Sequence, residues 1–290
     1  MTSSDLRHAM VRVGDVNLHT VTAGHGSPLV LLHGFPQTWW EWRKMIPLLA
    51  PHHTIVMPDL RGAGHSDCPQ GGYDKASLAA DIDGLMQALG HPRYAVCGHD
   101  IGGMVGMALA MIRRHAVTHL AILDVPLPGW SRWETLFGDP RVWHFSFHMK
   151  ENLPERLLYG REYDYVSTFI LDRAFDHGAH AIPDIEVFAR AFAQPGRTRG
   201  GLEWYRAFRK DHADALAWKR DRLTTPVLGL GGDGRWGPQI VAILQEFAED
   251  VRGGSIVDCN HWLPEERPHE TADALLAFLR GDPSTGVRGA

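Results

Sequence analysis

Gly98-His99-Asp100-Ile101-Gly102 has the form Gly-x-nucleophile-x-Gly, the turn that lifts a reactive side chain out of a strand and into a helix, with aspartate at its centre. Apolar Tyr94-Ala95-Val96-Cys97 before it and a helical run from Ile101 to Arg114 after it supply that strand–turn–helix context. The residue type narrows the chemistry. A serine suits attack on a carbonyl, whereas on a saturated carbon it would form an ether that water cleaves poorly. A carboxylate on a saturated carbon forms an alkyl ester, and water can attack the ester's own carbonyl to restore the acid. Asp100 therefore points to an electrophilic sp3 carbon whose leaving group is an epoxide oxygen or a halide. The competing reading, an Asp that caps the following helix, weakens as further residues are added.

His33-Gly34-Phe35-Pro36 follows an apolar run, and a backbone N–H there can act with the N–H after the nucleophile on a developing oxyanion. That assigns Phe35 and Ile101 as the oxyanion-hole pair. His261, in Asn260-His261-Trp262, is one of 18 histidines. It is selected by its position after the last strand candidate, as the base for a hydrolytic water. Two carboxylates could orient it. Asp124 ends Leu120-Ala121-Ile122-Leu123, and Asp233 lies in Gly231-Gly232-Asp233-Gly234. Both are expected at the carboxyl edge of the sheet, where sites of open α/β folds lie, and the residues alone leave the choice open. Asp59–Ser66 is glycine-rich but lacks the ending of a phosphate loop and the dinucleotide spacing. His177 and His180 lack a third ligand, so no metal site is assigned.

These residues need a scaffold. Strands are expected at Val11–Val13, Leu18–Thr22, Leu29–His33, Thr54–Pro58, Tyr94–Gly98, Leu120–Asp124, Val227–Leu230 and Ser255–Asp258. Helices are expected at Lys75–Leu89, Ile101–Arg114, Pro238–Phe247 and His269–Leu279. The alternation implies an α/β fold with a mostly parallel central sheet covered on both faces. It lapses from about Leu127 to Arg222, where aromatic residues and helical patterns dominate. The expected organisation is therefore a first core part (1–127), an inserted helical cap (128–222), a second core part (223–280) and a flexible tail (281–290). The 290 residues and net charge of −5 offer no basic stripe for nucleic acid, and no apolar run reaches membrane-spanning length. The polar stretch Met1–Met10 and three widely spaced cysteines, Cys68, Cys97 and Cys259, are read as features of a cytoplasmic protein with reduced thiols.

Taken together, the chain resembles the α/β-hydrolase superfamily from about Val11 to Leu279, in the branch of epoxide hydrolases and haloalkane or haloacetate dehalogenases. Val142-Trp143-His144-Phe145-Ser146-Phe147, Glu203-Trp204-Tyr205-Arg206-Ala207 and His261-Trp262-Leu263-Pro264-Glu265-Glu266 carry the likeness. The resemblance implies an α/β-hydrolase fold, Asp100 as nucleophile and His261 as base. It implies His144 and Tyr205 as the cap pair that binds and protonates an epoxide oxygen. It also favours Asp124 as the acid, although Asp233 stands where many family members carry theirs. Fluoroacetate dehalogenases carry two arginines where this chain has Ile101 and Met104, and a tryptophan where it has Phe145. Haloalkane dehalogenases typically carry tryptophan at the position of Ile101. These departures favour an epoxide hydrolase acting on a small apolar epoxide with water, without cofactor or metal. A dehalogenase is the alternative, and a non-catalytic binding protein of the same fold a third. Neither nucleic acid nor membrane is an expected partner, and oligomeric state is left open, a homodimer among the options.

Overall fold

The computed structural model describes residues 6–282. Eight strands form one sheet: β1 (Arg7–Val13), β2 (Val16–Ala23), β3 (Ser27–Leu32), β4 (His53–Pro58), β5 (Tyr94–His99), β6 (Val117–Leu123), β7 (Val227–Gly232) and β8 (Val251–Ile256). Their spatial order is β1-β2-β4-β3-β5-β6-β7-β8, with β2 antiparallel to both its neighbours and β3 to β8 mutually parallel. Twelve helices accompany them: α1 (Ile46–Leu49), α2 (Lys75–Ala88), α3 (Ile101–Ile112), α4 (Trp143–His148), α5 (Leu153–Leu158), α6 (Glu162–Leu171), α7 (Ile182–Phe192), α8 (Arg197–Arg206), α9 (Phe208–Trp218), α10 (Gly237–Gln245), α11 (Leu263–Glu266) and α12 (Pro268–Leu279).

The apolar runs of β3, β5 and β6 are explained by burial on both faces. Val30, Leu32, Val96, Leu120 and Ile122 join one core with α2, α3 and α10. Leu29, Leu31, Cys97, Ala121 and Leu123 alternate with them into a second core with α1 and α12. The eight expected strands all appear. The last one begins earlier than expected, at Val251 rather than Ser255, because Gly253 and Gly254 lie inside it. Glycines weaken a strand pattern in sequence. Here Gly253 is required, since a side chain on it would meet the Gly229 carbonyl oxygen of β7 at 1.8 Å.

From residue 124 to 222 the described chain holds helices and turns and no strand. Phe145, Phe169, Phe188, Tyr205 and Phe208 of this helical stretch extend the first core over the carboxyl edge of the sheet. Polar ties pin it there. The buried Lys75 ammonium of α2 bonds Asp211 of α9 and the Trp204 carbonyl, both at 2.7 Å. Trp204 Nε1 donates to the Arg61 carbonyl, and Trp262 Nε1 to that of Ile170. The backbone N–H groups of Phe175 and Asp176 both donate to Glu266. Cys68, Cys97 and Cys259 are free thiols. No helix among the described residues is long and apolar enough to cross a membrane. The tail expected from residue 281 lies, beyond Asp282, outside the described residues.

Candidate active site

Asp100 stands between β5 and α3 with φ 50° and ψ −123°. An L residue rarely adopts that conformation, and such strain concentrates at functional sites. The flanking glycines make the turn possible. A side chain on Gly98 would meet the Gly102 carbonyl oxygen, and one on Gly102 that of Leu32, each at 2.1 Å. Gly34 is equally constrained, for its missing side chain would collide with the Asp100 Cβ at 2.5 Å. That close approach lets the Phe35 N–H reach Asp100 Oδ1 at 2.9 Å. Ile101 opens α3, so its N–H is among those the helix leaves free.

Only Asp100 Oδ1 is engaged by a backbone donor; Oδ2 lies 3.6 Å from His261 Nε2, a close approach rather than a hydrogen bond. Burial pushes the Asp100 carboxyl up, but His261, His99 and the Phe35 N–H outweigh it and hold the group well below the usual carboxylate range. It is ionised at neutral pH and 8% exposed, so its charge is largely shielded from solvent.

On the other side of the imidazole, His261 Nδ1 is 2.8 Å from Asp124 Oδ2. Asp124 is fully buried, follows β6 directly, and takes a positive φ of 44°. Its Oδ1 accepts the N–H groups of Gly232 and Trp236, both at 3.0 Å, which fixes the carboxylate in place. Asp233 is elsewhere engaged. It is exposed and accepts the N–H groups of Asp258 and Cys259 at 3.3 Å. The two carboxylates that the residues alone could not rank thus have different surroundings: one buried against the histidine, the other stapling a surface turn.

Above the carboxylate, His144 of α4 and Tyr205 of α8 pack with ring centroids 5.8 Å apart. The Tyr205 ring also meets Phe35 edge-on at 5.3 Å. Its hydroxyl is buried and has no hydrogen-bond partner among the described residues. Burial, then the charge of Asp100, raise the phenol well above its ordinary value, so it keeps its proton. His144 is pushed well below its ordinary value by burial, then by His148 and Arg173, and is neutral. Ile101 and Met104 are buried and apolar in the first core. The Phe145 ring lies tilted against Tyr205 and edge-on to Phe208, with centroids 5.8 and 4.9 Å away. The expected site residues other than Asp233 therefore gather around one chamber. Among the described residues no group of three or more His, Cys, Asp or Glu is arranged to hold a metal ion.

Several residues around this chamber are not evident from spacing alone. His148, one turn after His144, is fully buried; its Nε2 pairs with the Tyr165 hydroxyl and its ring lies 4.4 Å from that of Tyr205. Arg173 contacts His144. His99 and Glu41 form a wholly buried pair behind Asp100, with His99 Nδ1 2.8 Å from Glu41 Oε1 but off the line of a hydrogen bond. His99 Nε2 donates to the His261 carbonyl at 2.8 Å, and Glu41 Oε2 accepts the Gly34 N–H at 3.0 Å. One ion pair thereby joins the elbow, the turn bearing Phe35 and the loop of His261. Only His99 left a trace in the sequence, as the neighbour of Asp100 in the elbow motif.

Burial alone would lower His99, but Glu41 and then Asp100 overcome it and raise the imidazole to about 9. Its folded value exceeds its ordinary 6.5, so its contribution to stability is full below about 6.5 and is lost as pH rises through about 9. Denaturant unfolding at successive pH values is expected to show stability falling over that window in the native protein. The fall should flatten in His99→Gln. An equal fall in the variant would assign it to another group.

A family model described as alpha/beta hydrolase fold matches residues 27–148. A soluble epoxide hydrolase of Corynebacterium sp. (strain C12) is 37% identical over 96% of this chain and 98% of that protein. A fluoroacetate dehalogenase of Burkholderia sp. is 31% identical, covering 96% of this chain and 95% of the relative. The solved structure of an epoxide hydrolase, CorEH without ligand, superposes with a TM-score of 0.89 at 36% identity, covering 95% and 99% of the two chains.

Proposed function

Since the chain belongs to the α/β-hydrolase superfamily and to its epoxide hydrolase branch, we propose that its chamber opens an epoxide to a vicinal diol through an ester on Asp100. Asp100 Oδ2, the oxygen with no backbone donor, attacks one epoxide carbon. The C–O bond breaks and its electron pair moves to the epoxide oxygen. The Tyr205 hydroxyl, with His144 beside it, donates to that oxygen as the negative charge leaves Asp100. The same loss of charge from Asp100 removes one of the influences that held the Tyr205 proton.

Hydrolysis follows. His261, oriented by Asp124, takes a proton from water, and the resulting hydroxide adds to the Asp100 ester carbon. The oxyanion forms on Oδ1, where the Phe35 N–H already stands and the Ile101 N–H is free to join it. Collapse releases the diol oxygen, which takes the proton from His261, and the remaining proton of the added hydroxide passes from the Asp100 acid to the Tyr205 phenolate, restoring both the carboxylate and the phenol. Helices α4 to α9 act in this reading as a cap, covering residues 128–222 and supplying the groups that meet the leaving oxygen.

The observation that carries epoxide over halide is the Tyr205 hydroxyl, a proton donor in the closed chamber with no acceptor of its own. A departing halide needs a dipole but no proton. Ile101 and Met104 offer no charge to an anionic substrate, and Phe145 no indole N–H to a halide. The test is a parallel panel of small apolar epoxides and haloalkanes with fluoroacetate, measuring diol and free halide. Diol from epoxides with little halide release is expected. Halide release with no diol from any epoxide would overturn the reading.

A further inference from the structure

Arg173, just beyond the end of α6, is a buried cation without a carboxylate. It is 3% exposed and has no ion-pair partner among the described residues. Burying an unpaired charge is costly, so other contacts must hold it. The guanidinium lies 3.7 Å from the centroid of the Phe169 ring. Nη1 donates to the Phe169 carbonyl at 3.0 Å, and Nη2 lies 3.0 Å from His144 Nδ1. The main chain of the same residue turns the other way, its carbonyl accepting the His261 N–H at 3.2 Å.

A guanidinium has donors only. His144 Nδ1 must therefore be the bare, accepting nitrogen, and the ring proton must sit on Nε2. We propose that Arg173 is a positioning residue: its side chain locks His144 as the Nε2–H tautomer, a donor to the epoxide oxygen, and holds a positive charge behind that donor as alkoxide charge develops. The proposal rests on the epoxide-opening reading of the site and deepens it. Burial, then Arg235, lower the guanidinium to about 10, so it stays cationic at neutral pH. The charged and titratable groups influencing His144 are His148, Arg173, Asp100 and His261, and the Tyr205 ring packs against it. Among them Arg173 is the one hydrogen-bonded to the His144 ring.

The side-chain and main-chain roles are separable. Arg173→Met removes the donor to His144 but keeps the carbonyl that meets His261. Single-turnover kinetics on a terminal epoxide that the native enzyme converts should therefore show ester formation slowed roughly 10–100-fold, the scale of losing an orienting partner. Ester hydrolysis should keep its rate. Arg173→Lys, which retains a donor and a charge without the planar fork, should recover part of the loss.

The 15N spectrum of the histidines, assigned with His144→Gln, should place the native His144 proton on Nε2 and release that preference in Arg173→Met. A native proton on Nδ1 overturns the proposal, as does slowing of both steps alike with the tautomer unchanged. The native spectrum and Arg173→Lys decide the matter even if Arg173→Met does not fold. The tautomer is read without substrate, so a protein that opened no epoxide would fail the proposed function and still answer for Arg173.

Discussion

Replacing His261 by glutamine is expected to arrest the reaction at the ester and make the covalent adduct visible. The nucleophile would lose little, because its Oδ1 is held by the Phe35 N–H and His261 is not hydrogen-bonded to Oδ2. What disappears is the proposed base for water. A positioned base contributes roughly 10²–10⁴-fold, so ester decay should slow by that factor while ester formation persists. Intact mass after mixing with an epoxide should rise by the full mass of the substrate, since ring opening adds the molecule without losing an atom. A haloalkane would add less, having lost its halide. Fragmentation should place the added mass on Asp100. An unmodified His261→Gln protein, tested with substrates the native enzyme turns over, would exclude the ester route.

The second large effect separates two carboxylates of the same type at the same edge of the sheet. Asp124→Asn is expected to lower turnover by about 10⁴-fold, because the amide can present its N–H₂ to His261 Nδ1 and favour the wrong tautomer. Asp233→Asn should stay within about twofold, as is usual for a surface substitution. The asymmetry follows from their surroundings. Asp124 is fully buried, 2.8 Å from the imidazole and fixed by two N–H groups, whereas Asp233 is exposed and bonded to its own turn. Steady-state rates of the two variants, compared with their thermal stabilities, check the assignment. Comparable losses, or a larger loss at Asp233, would reverse it.

The core was legible because parallel strands buried on both faces leave unbroken apolar runs such as Leu29–Leu32, and because a strand-to-helix elbow demands glycines at fixed spacing. Gly98 and Gly102 are needed for steric reasons that a short motif expresses in full. The last strand was legible only in part, since Gly253 and Gly254 break the usual signature, Gly253 in order to admit the β7 backbone. The choice between Asp124 and Asp233 was legible from the family resemblance, which favoured Asp124, but not from the residues themselves, because both follow core strands and differ only in which way the chain turns next. Arg173 and Glu41 left no local trace. Arg173 acts on a ring 29 residues away, and Glu41 reaches across to the elbow from the 3-10 turn Trp39–Lys44. Such residues are found by contact, not by pattern.

The single N–H bond from Phe35 to Asp100 makes the two carboxylate oxygens permanently different. In the proposed reaction the tethered oxygen stays with the protein throughout, and the other is handed to the substrate and leaves inside the diol. Water refills the vacant place, so its oxygen enters Asp100 first and the product only on the following cycle. Under this reading each diol carries an oxygen that the protein took from solvent one turnover earlier, and the first diol from a fresh molecule carries one that was built in when the chain was synthesised. The enzyme keeps, in one atom, a record of its previous catalytic event.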